Sequence, residues 1–130
     1  MSQYLIHVPA YLLAFEHILG GQARVTPLLT PSVYDIAARQ RGPATQKALY
    51  PIIPIKNPEK LSNFIGALMI ATAILLFLPI TRGSIVTLAV NTFLTGAGIY
   101  TQRKMGIPFW LPCINMALGL MVWVIENRGS

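Results

Sequence analysis

Residues 61–78 read LSNFIGALMIATAILLFL, a run of 18 residues without a formal charge. An α-helix rises about 1.5 Å per residue, so about 20 apolar residues span the hydrocarbon core of a bilayer. Backbone groups in lipid must satisfy their hydrogen bonds within the segment, which favours a helix. The run therefore predicts a membrane-spanning helix.

Two more uncharged runs follow closely. Residues 83–102 read GSIVTLAVNTFLTGAGIYTQ, and residues 105–125 read MGIPFWLPCINMALGLMVWVI. A short Pro79–Gly83 connection precedes the first of these runs, and Arg103 with Lys104 separates the two. Connections this short place neighbouring helices antiparallel. We expect helices at about 61–78, 83–102 and 106–125.

The first apolar run, YLIHVPAYLLAFEHILGG at residues 4–21, predicts another helix, although it contains Glu16 and His17. A secretory signal peptide has a basic first segment and a small-residue cleavage site. Neither accompanies this run, so we expect a retained helix. The predicted fold class is all-α: an integral membrane four-helix bundle that forms a single domain over residues 1–130.

The composition agrees with a lipid-embedded protein. Of 130 residues, 54% are hydrophobic and 11% are charged, whereas a soluble domain has about 25% charged residues. The net charge is +6, but the basic residues lie in gaps between apolar runs, as the flanks of membrane helices do. Cys113 is the single cysteine, which excludes an intrachain disulfide and a Cys-rich metal site. We expect no nucleic-acid partner, metal or cofactor.

The distribution of Lys and Arg predicts the orientation. Eight of them lie in the loop after the first helix and in the loop after the third, at Arg24, Arg39, Arg41, Lys47, Lys56, Lys60, Arg103 and Lys104. Arg82 and Arg128 lie on the other side. Because basic loops stay in the cytoplasm, we expect the long loop to be cytoplasmic and both termini to lie on the opposite side.

The long loop between the first two helices carries signals for a short helix at about 32–41. Ser32 with Asp35 resembles a capping box, Pro31 suits a helix start, and Gly42 suits a helix stop. A proline-rich extended segment follows at residues 50–58. A connection this long in so small a protein is often functional, for example as a lid.

Glu16 and His17 are the first candidates for a catalytic role. One interpretation places them at the membrane surface, where a charge costs little. The other places Glu16 in an apolar pocket as a general acid or base, since a carboxyl group shielded from water holds its proton more tightly. In that case His17 is its partner. Asp35 is a third catalytic candidate if the loop folds over the bundle, and a structural capping residue if it does not.

The third predicted helix carries a polar stripe, formed by Thr87, Asn91, Thr95, Gly98 and Gln102. Polar residues within a membrane helix face protein or water. The stripe therefore either holds helices together through hydrogen bonds or forms the wall of a substrate pocket. The fourth helix has a similar face. The candidate substrate-binding residues are Asn91, Thr95, Tyr100, Asn115 and Trp123.

Residues 63–102 contain Gly66 before a Leu-rich stretch, the turn Pro79-Ile80-Thr81-Arg82-Gly83, and Gly96-Ala97 shortly before Tyr100. In these features the chain resembles the DoxX-like family of small four-helix membrane proteins. The resemblance implies a four-helix bundle and, in some members, work beside quinone-linked oxidoreductases. Met69 lies about where the family often has an acidic residue in the second helix. Glu16 and His17 lie near the position of a basic residue that is typical of the end of the family's first helix. These departures favour another use of the same scaffold, since a fold does not fix its function.

Taken together, the residues predict a small membrane enzyme that performs acid–base chemistry on a lipophilic, polyketide- or terpene-like molecule. Cyclisation, isomerisation and epoxide opening are reactions of this kind. The alternatives are a non-catalytic DoxX-like subunit of a quinone-linked oxidoreductase and a structural or assembly factor. The expected partners are the lipid bilayer and the lipophilic substrate, and a homo-oligomer stays open.

Overall fold

The computed structural model of the chain describes residues 6–26, 28–50 and 52–128. Within these residues it contains seven α-helices, one π-helical segment and no strand, which confirms the all-α class. In chain order the elements are α1 (Val8–Val25), α2 (Pro31–Tyr34), the π-helical segment (Asp35–Gln40), α3 (Gly42–Leu49), α4 (Pro58–Phe77), α5 (Pro79–Arg82), α6 (Ile85–Lys104) and α7 (Trp110–Asn127).

The four long helices, α1, α4, α6 and α7, correspond to the four apolar runs, with their ends displaced by a few residues. Local side chains set these ends. The Asn57 side chain accepts hydrogen bonds from the first backbone N–H groups of α4, and the Ser84 side chain does the same for α6. Helix α4 ends ahead of Pro79, because a proline disfavours the helical conformation of the residue that precedes it. Residues 4 and 5 of the predicted first helix lie outside the described residues.

Helices α1 and α4 meet at a pair of glycines. A Cβ atom on Gly66 would lie 2.6 Å from the carbonyl oxygen of Gly21, and a Cβ atom on Gly21 would lie 2.8 Å from the carbonyl oxygen of Gly66. These distances are too short for any larger residue without a shift of the backbone. Small residues at a crossing let two helix backbones approach closely, and this contact fixes how α1 sits on α4.

Two clusters of buried apolar side chains hold the bundle together. The first joins α1, α4 and α7 and consists of Ala10, Leu13, Ala14, Ala73, Leu76 and Val122. The second joins the end of α3 and the segment after it to the start of α4, and consists of Leu49, Ile53 and Leu61. The long connection between α1 and α4 is therefore packed onto the bundle.

That connection differs from the prediction in two respects. The predicted short helix at 32–41 forms as α2 and the π-helical segment, but α2 has no side-chain cap, so the Ser32–Asp35 capping box is absent. Gly42 was expected to end a helix and instead begins α3. Pro43 is compatible with this start, because proline lacks an N–H and is tolerated in the first turn of a helix. Helix α3 was not predicted.

Charged side chains fill the end of the bundle at which α1 begins and α7 ends. Arg82 is 3% exposed and donates to the carbonyl oxygens of Leu76 and Phe77 at 2.8 and 3.0 Å. Its Nη1 lies 3.4 Å from Oε1 of Glu126, and Nδ1 of His7 lies 3.2 Å from the same oxygen. A buried guanidinium needs acceptors for its donors, and this set supplies them. We call Arg82, His7 and Glu126 the end cluster.

Among the helices in the described part of the chain, two, α4 and α7, are long and apolar enough to cross a membrane by length and composition. The best window of α4 has a mean hydropathy of 1.8, and that of α7 has 1.3.

Candidate functional site

A cavity of about 280 Å³ lies in the half of the bundle where α1 and α6 end and where α4 and α7 begin. Most of the residues that line it are apolar, and they include Leu19, Leu49, Ile53, Ile65, Met69 and Leu94. The polar lining includes Glu16, His17, Arg24, Arg41, Thr95 and Asn115. Ligand sites combine a mostly apolar wall with a few polar groups that fix orientation, and this cavity has that character.

Glu16 reaches the cavity from the middle of α1. Gly20 and Arg24 follow it at intervals of four residues, so the three lie along one face of the helix. Gly20 leaves room for the Met69 side chain, since a Cβ atom there would lie 2.7 Å from Cε of Met69. The Oε2 atom of Glu16 is buried and has no hydrogen-bond partner among the described residues.

His17 is held by an asparagine of another helix. Its Nε2 lies 2.7 Å from Oδ1 of Asn91 on α6, and Nδ2 of Asn91 donates to the carbonyl oxygen of Asn115 on α7 at 3.3 Å. Because an amide oxygen can only accept, Nε2 of His17 carries the proton in this contact. In the neutral ring Nδ1 is then left with a lone pair, and it has no partner in the described part of the chain. A neutral imidazole fixed in this way has a free basic nitrogen.

The position of Asn91 depends on Gly119. A Cβ atom at position 119 would collide with the amide nitrogen of Asn91. The glycine therefore lets the Asn91 side chain lie against α7, where its amide group bridges α1 and α7. Asn91 is 1% exposed and His17 is 2% exposed, so this contact lies in the interior of the bundle.

Unpartnered polar atoms concentrate around the cavity. Among the described residues, four buried side-chain atoms lack a hydrogen-bond partner, and three of the four belong to cavity residues. These three are Oε2 of Glu16, Nδ1 of His17 and Oδ1 of Asn115. Buried polar groups in folded proteins are nearly always hydrogen bonded. Three of the four exceptions therefore belong to residues of this one cavity.

The structure brings together part of the predicted site. Four of the predicted residues line the cavity: Glu16, His17, Thr95 and Asn115. Asn91 is not among the lining residues, but it contacts His17 through a hydrogen bond. The Thr95 hydroxyl donates to the carbonyl oxygen of Asn91 at 2.8 Å, so it is already engaged within its own helix.

The other predicted site residues do not line the cavity in the described part of the chain. Asp35 interacts with its own segment, through Arg39 Nη1 at 3.5 Å and Gln40 Nε2 at 3.1 Å. Tyr100 is exposed, and its hydroxyl accepts a hydrogen bond from Lys104. Trp123 is half-buried near the end of α7, in the opposite half of the bundle.

Two arginines of the cavity were not among the predicted site residues. Arg24 donates to the carbonyl oxygen of Gly20 at 3.1 Å and lies 3.4 Å from the sulfur of Met69. The i, i+4, i+8 spacing from Glu16 could have indicated that Arg24 shares its face. No sequence signal pointed to Arg41, which precedes a helix that was not predicted.

No family model, curated protein or solved structure matches the chain. The resemblance to the DoxX-like family therefore stays a prediction. Within the residues that the structure describes, no group of three or more His, Cys, Asp or Glu side chains is arranged to hold a metal ion.

Proposed function

We propose that this chain is an integral membrane enzyme that performs acid–base chemistry on a lipophilic small molecule in the cavity. Glu16 and His17 would transfer the protons. The observation that carries this proposal is the set of unpartnered polar atoms from Glu16, His17 and Asn115 around one largely apolar cavity.

The membrane assignment is supported by the apolar surface of α4 and α7 that the rest of the protein does not cover. Only 28% of the apolar window of α4 and 17% of that of α7 are buried within the protein. A core helix of a soluble protein would be mostly buried. Large apolar side chains such as Phe15, Ile74 and Phe77 are more than half exposed. Large exposed apolar patches mark protein or membrane contacts. We assign four membrane-spanning helices, with the long loop in the cytoplasm as the Lys and Arg distribution favours.

The chemistry is supported by the two protonation sites. Nδ1 of His17 has a lone pair when Nε2 donates to Asn91, so it can accept a proton from a substrate. The unpartnered carboxyl group of Glu16 can donate one. The two residues are adjacent in sequence, so on one helix their side chains diverge by about 100°. This arrangement suits proton removal at one atom of a substrate and proton delivery at another.

The substrate class is supported by the lining. An apolar wall binds a hydrocarbon skeleton by removing it from water, and the Asn115 amide oxygen can accept a hydrogen bond from a substrate hydroxyl. Reactions that need a proton donor and a proton acceptor include isomerisation, cyclisation and epoxide opening. Holding a flexible chain in a reactive conformation would itself lower the barrier considerably.

The test is a comparison of turnover by two Glu→Gln variants in proteoliposomes. A panel of unsaturated and epoxide-bearing polyketides and terpenes is supplied, and isomers and water adducts are separated by chromatography before detection by mass spectrometry. Glu16→Gln keeps the shape of the side chain but cannot exchange a proton, so turnover should fall about 10²-fold or more. Glu59→Gln alters an exposed acid in the first turn of α4 and should have no effect. Equal turnover by wild type and Glu16→Gln would overturn the assignment of Glu16.

A further inference from the structure

Two arginines face the cavity without an acidic partner. Arg24 comes from the last turn of α1, and Arg41 precedes α3. The ion pairs of the described residues involve Asp35 and Glu126, and neither of these arginines takes part in them. Glu16 lines the same cavity but forms no ion pair with either arginine.

The two arginine side chains line the same cavity, although they come from different elements of the fold. Like charges that share a cavity repel each other, and an anion bound between them offsets the repulsion. Arg24 uses its Nη1 for Gly20 and Met69, and the side chain of Arg41 donates no hydrogen bond to another described residue. A guanidinium has five donors in a planar fork that matches a carboxylate. Most of the donors of this pair are therefore free for a ligand.

A second cavity adjoins the first at Arg41 and is also lined by basic residues. It has a volume of about 650 Å³ and is lined by Gln40, Arg41, Ala44, Lys47, Ala48, Lys104, Met105 and Ile107. Arg41 belongs to both cavities. No Asp or Glu lines the second cavity among the described residues. A recess with a single sign of charge attracts ligands of the opposite charge and raises their rate of association.

We infer that the substrate of this cavity is a lipophilic carboxylic acid, whose carboxylate binds Arg24 and Arg41 while its apolar body extends towards Glu16 and His17. The acid enters through the second cavity, where Lys47 and Lys104 attract its carboxylate. Arg41 lines both cavities, so it can bind the carboxylate as the acid moves from the second cavity into the first. The carboxylate compensates the repulsion between the two arginines and fixes which part of the hydrocarbon meets Glu16. This inference names a substrate class for the proposed enzyme, but the binding of an acid can be measured without turnover.

The experiment measures the binding of dodecanoate and dodecan-1-ol to the full chain in phosphatidylcholine nanodiscs, at mildly alkaline pH. The wild type should prefer the acid. Each of Arg24→Gln and Arg41→Gln should reduce the preference for acid over alcohol about tenfold or more, the usual scale for a charge-assisted hydrogen bond. Arg39→Gln is the matched control, since Arg39 is exposed, pairs with Asp35 and lines neither cavity. It should leave the preference unchanged.

Each outcome decides between stated alternatives. Equal affinity for acid and alcohol in the wild type, or an unchanged preference in Arg41→Gln, would overturn the inference and leave the proposed acid–base function intact. Arg41 is exposed, so its substitution keeps the test valid if Arg24→Gln fails to fold. Nanodiscs with added phosphatidylglycerol form a second arm. If this lipid displaces dodecanoate from the wild type but not from Arg41→Gln, the site binds a lipid head group and the substrate assignment is wrong. A Glu16→Gln variant that binds dodecanoate normally but lacks turnover would support both proposals.

Discussion

Replacing Asn91 with Leu tests whether the interior of the bundle depends on the contact between His17 and Asn91. The substitution preserves the approximate volume of the side chain and removes both of its polar atoms. The short hydrogen bond to His17 is lost, and so is the longer one to the carbonyl oxygen of Asn115. We expect Asn91→Leu to fold but to be less stable than the wild type.

The magnitude follows from the burial and the length of the bonds. Hydrogen bonds between membrane helices contribute about 0.6 kcal/mol on average and at most about 1.7 kcal/mol. The bond between Nε2 of His17 and Oδ1 of Asn91 is 2.7 Å long and fully buried, and its loss leaves a donor of His17 unpaired. We therefore expect a loss near the upper end of that range, about 1.5 kcal/mol of the free energy of unfolding.

A double-mutant cycle separates this bond from other effects of the substitution. Stability is measured by titration with a denaturing detergent, followed by circular dichroism, for Asn91→Leu, His17→Phe and both together. The two changes should be coupled by about 1 kcal/mol, because each removes the same bond. Asn63→Leu, at an exposed position of α4, is the control and should be close to neutral. Zero coupling, or equal stability of Asn91→Leu and Asn63→Leu, would refute the reasoning.

Two further predictions concern the fold. Gly66→Val should destabilise the protein by about 1–3 kcal/mol or shift α1 away from α4, because the new Cβ atom would meet the backbone of Gly21. Gly96→Ala is the control and should be nearly neutral, since its Cβ would have an ordinary 3.8 Å contact with Met116. Equal melting temperatures for the two variants would contradict the close crossing of α1 and α4. In a Cys113-free background, a membrane-impermeant thiol reagent should label Lys47→Cys from the cytoplasmic side and Arg128→Cys from the opposite side, and labelling of both from one side would be incompatible with four spans.

The sequence predicted the long helices because their signals are local. The uncharged runs and the residues that interrupt them are enough to place α4, α6 and α7 within a few residues. The polar stripe was also visible, since a spacing of three or four residues places side chains on one face of a helix. The partner of the stripe was not visible, because the rotation of one helix against another depends on close packing. Gly21 and Gly66 determine that rotation for α1, and the pairing of His17 with Asn91 follows from the assembled bundle.

The connection between α1 and α4 shows a different limit. Gly42 with Pro43 is compatible with the end of one helix or with the start of the next, and only the tertiary contacts of Leu49 decide for α3. Arg82 illustrates the same point for charge. The sequence pattern predicts that Arg82 flanks a membrane helix. In the structure, the groups that accept hydrogen bonds from Arg82 come from the ends of α4 and α7. Long-range partners of this kind leave no periodic pattern in the chain.

The end cluster has a consequence for the kinetics of the proposed enzyme. Arg82, His7 and Glu126 occupy one end of the bundle, while the lining of the cavity comes from the other half. Substrate and product would then exchange through the same mouth, past Arg41. A product molecule that stays in the cavity blocks the next substrate until it leaves. Inhibition by product should therefore be competitive with substrate, and slow departure of the product would limit the turnover rate.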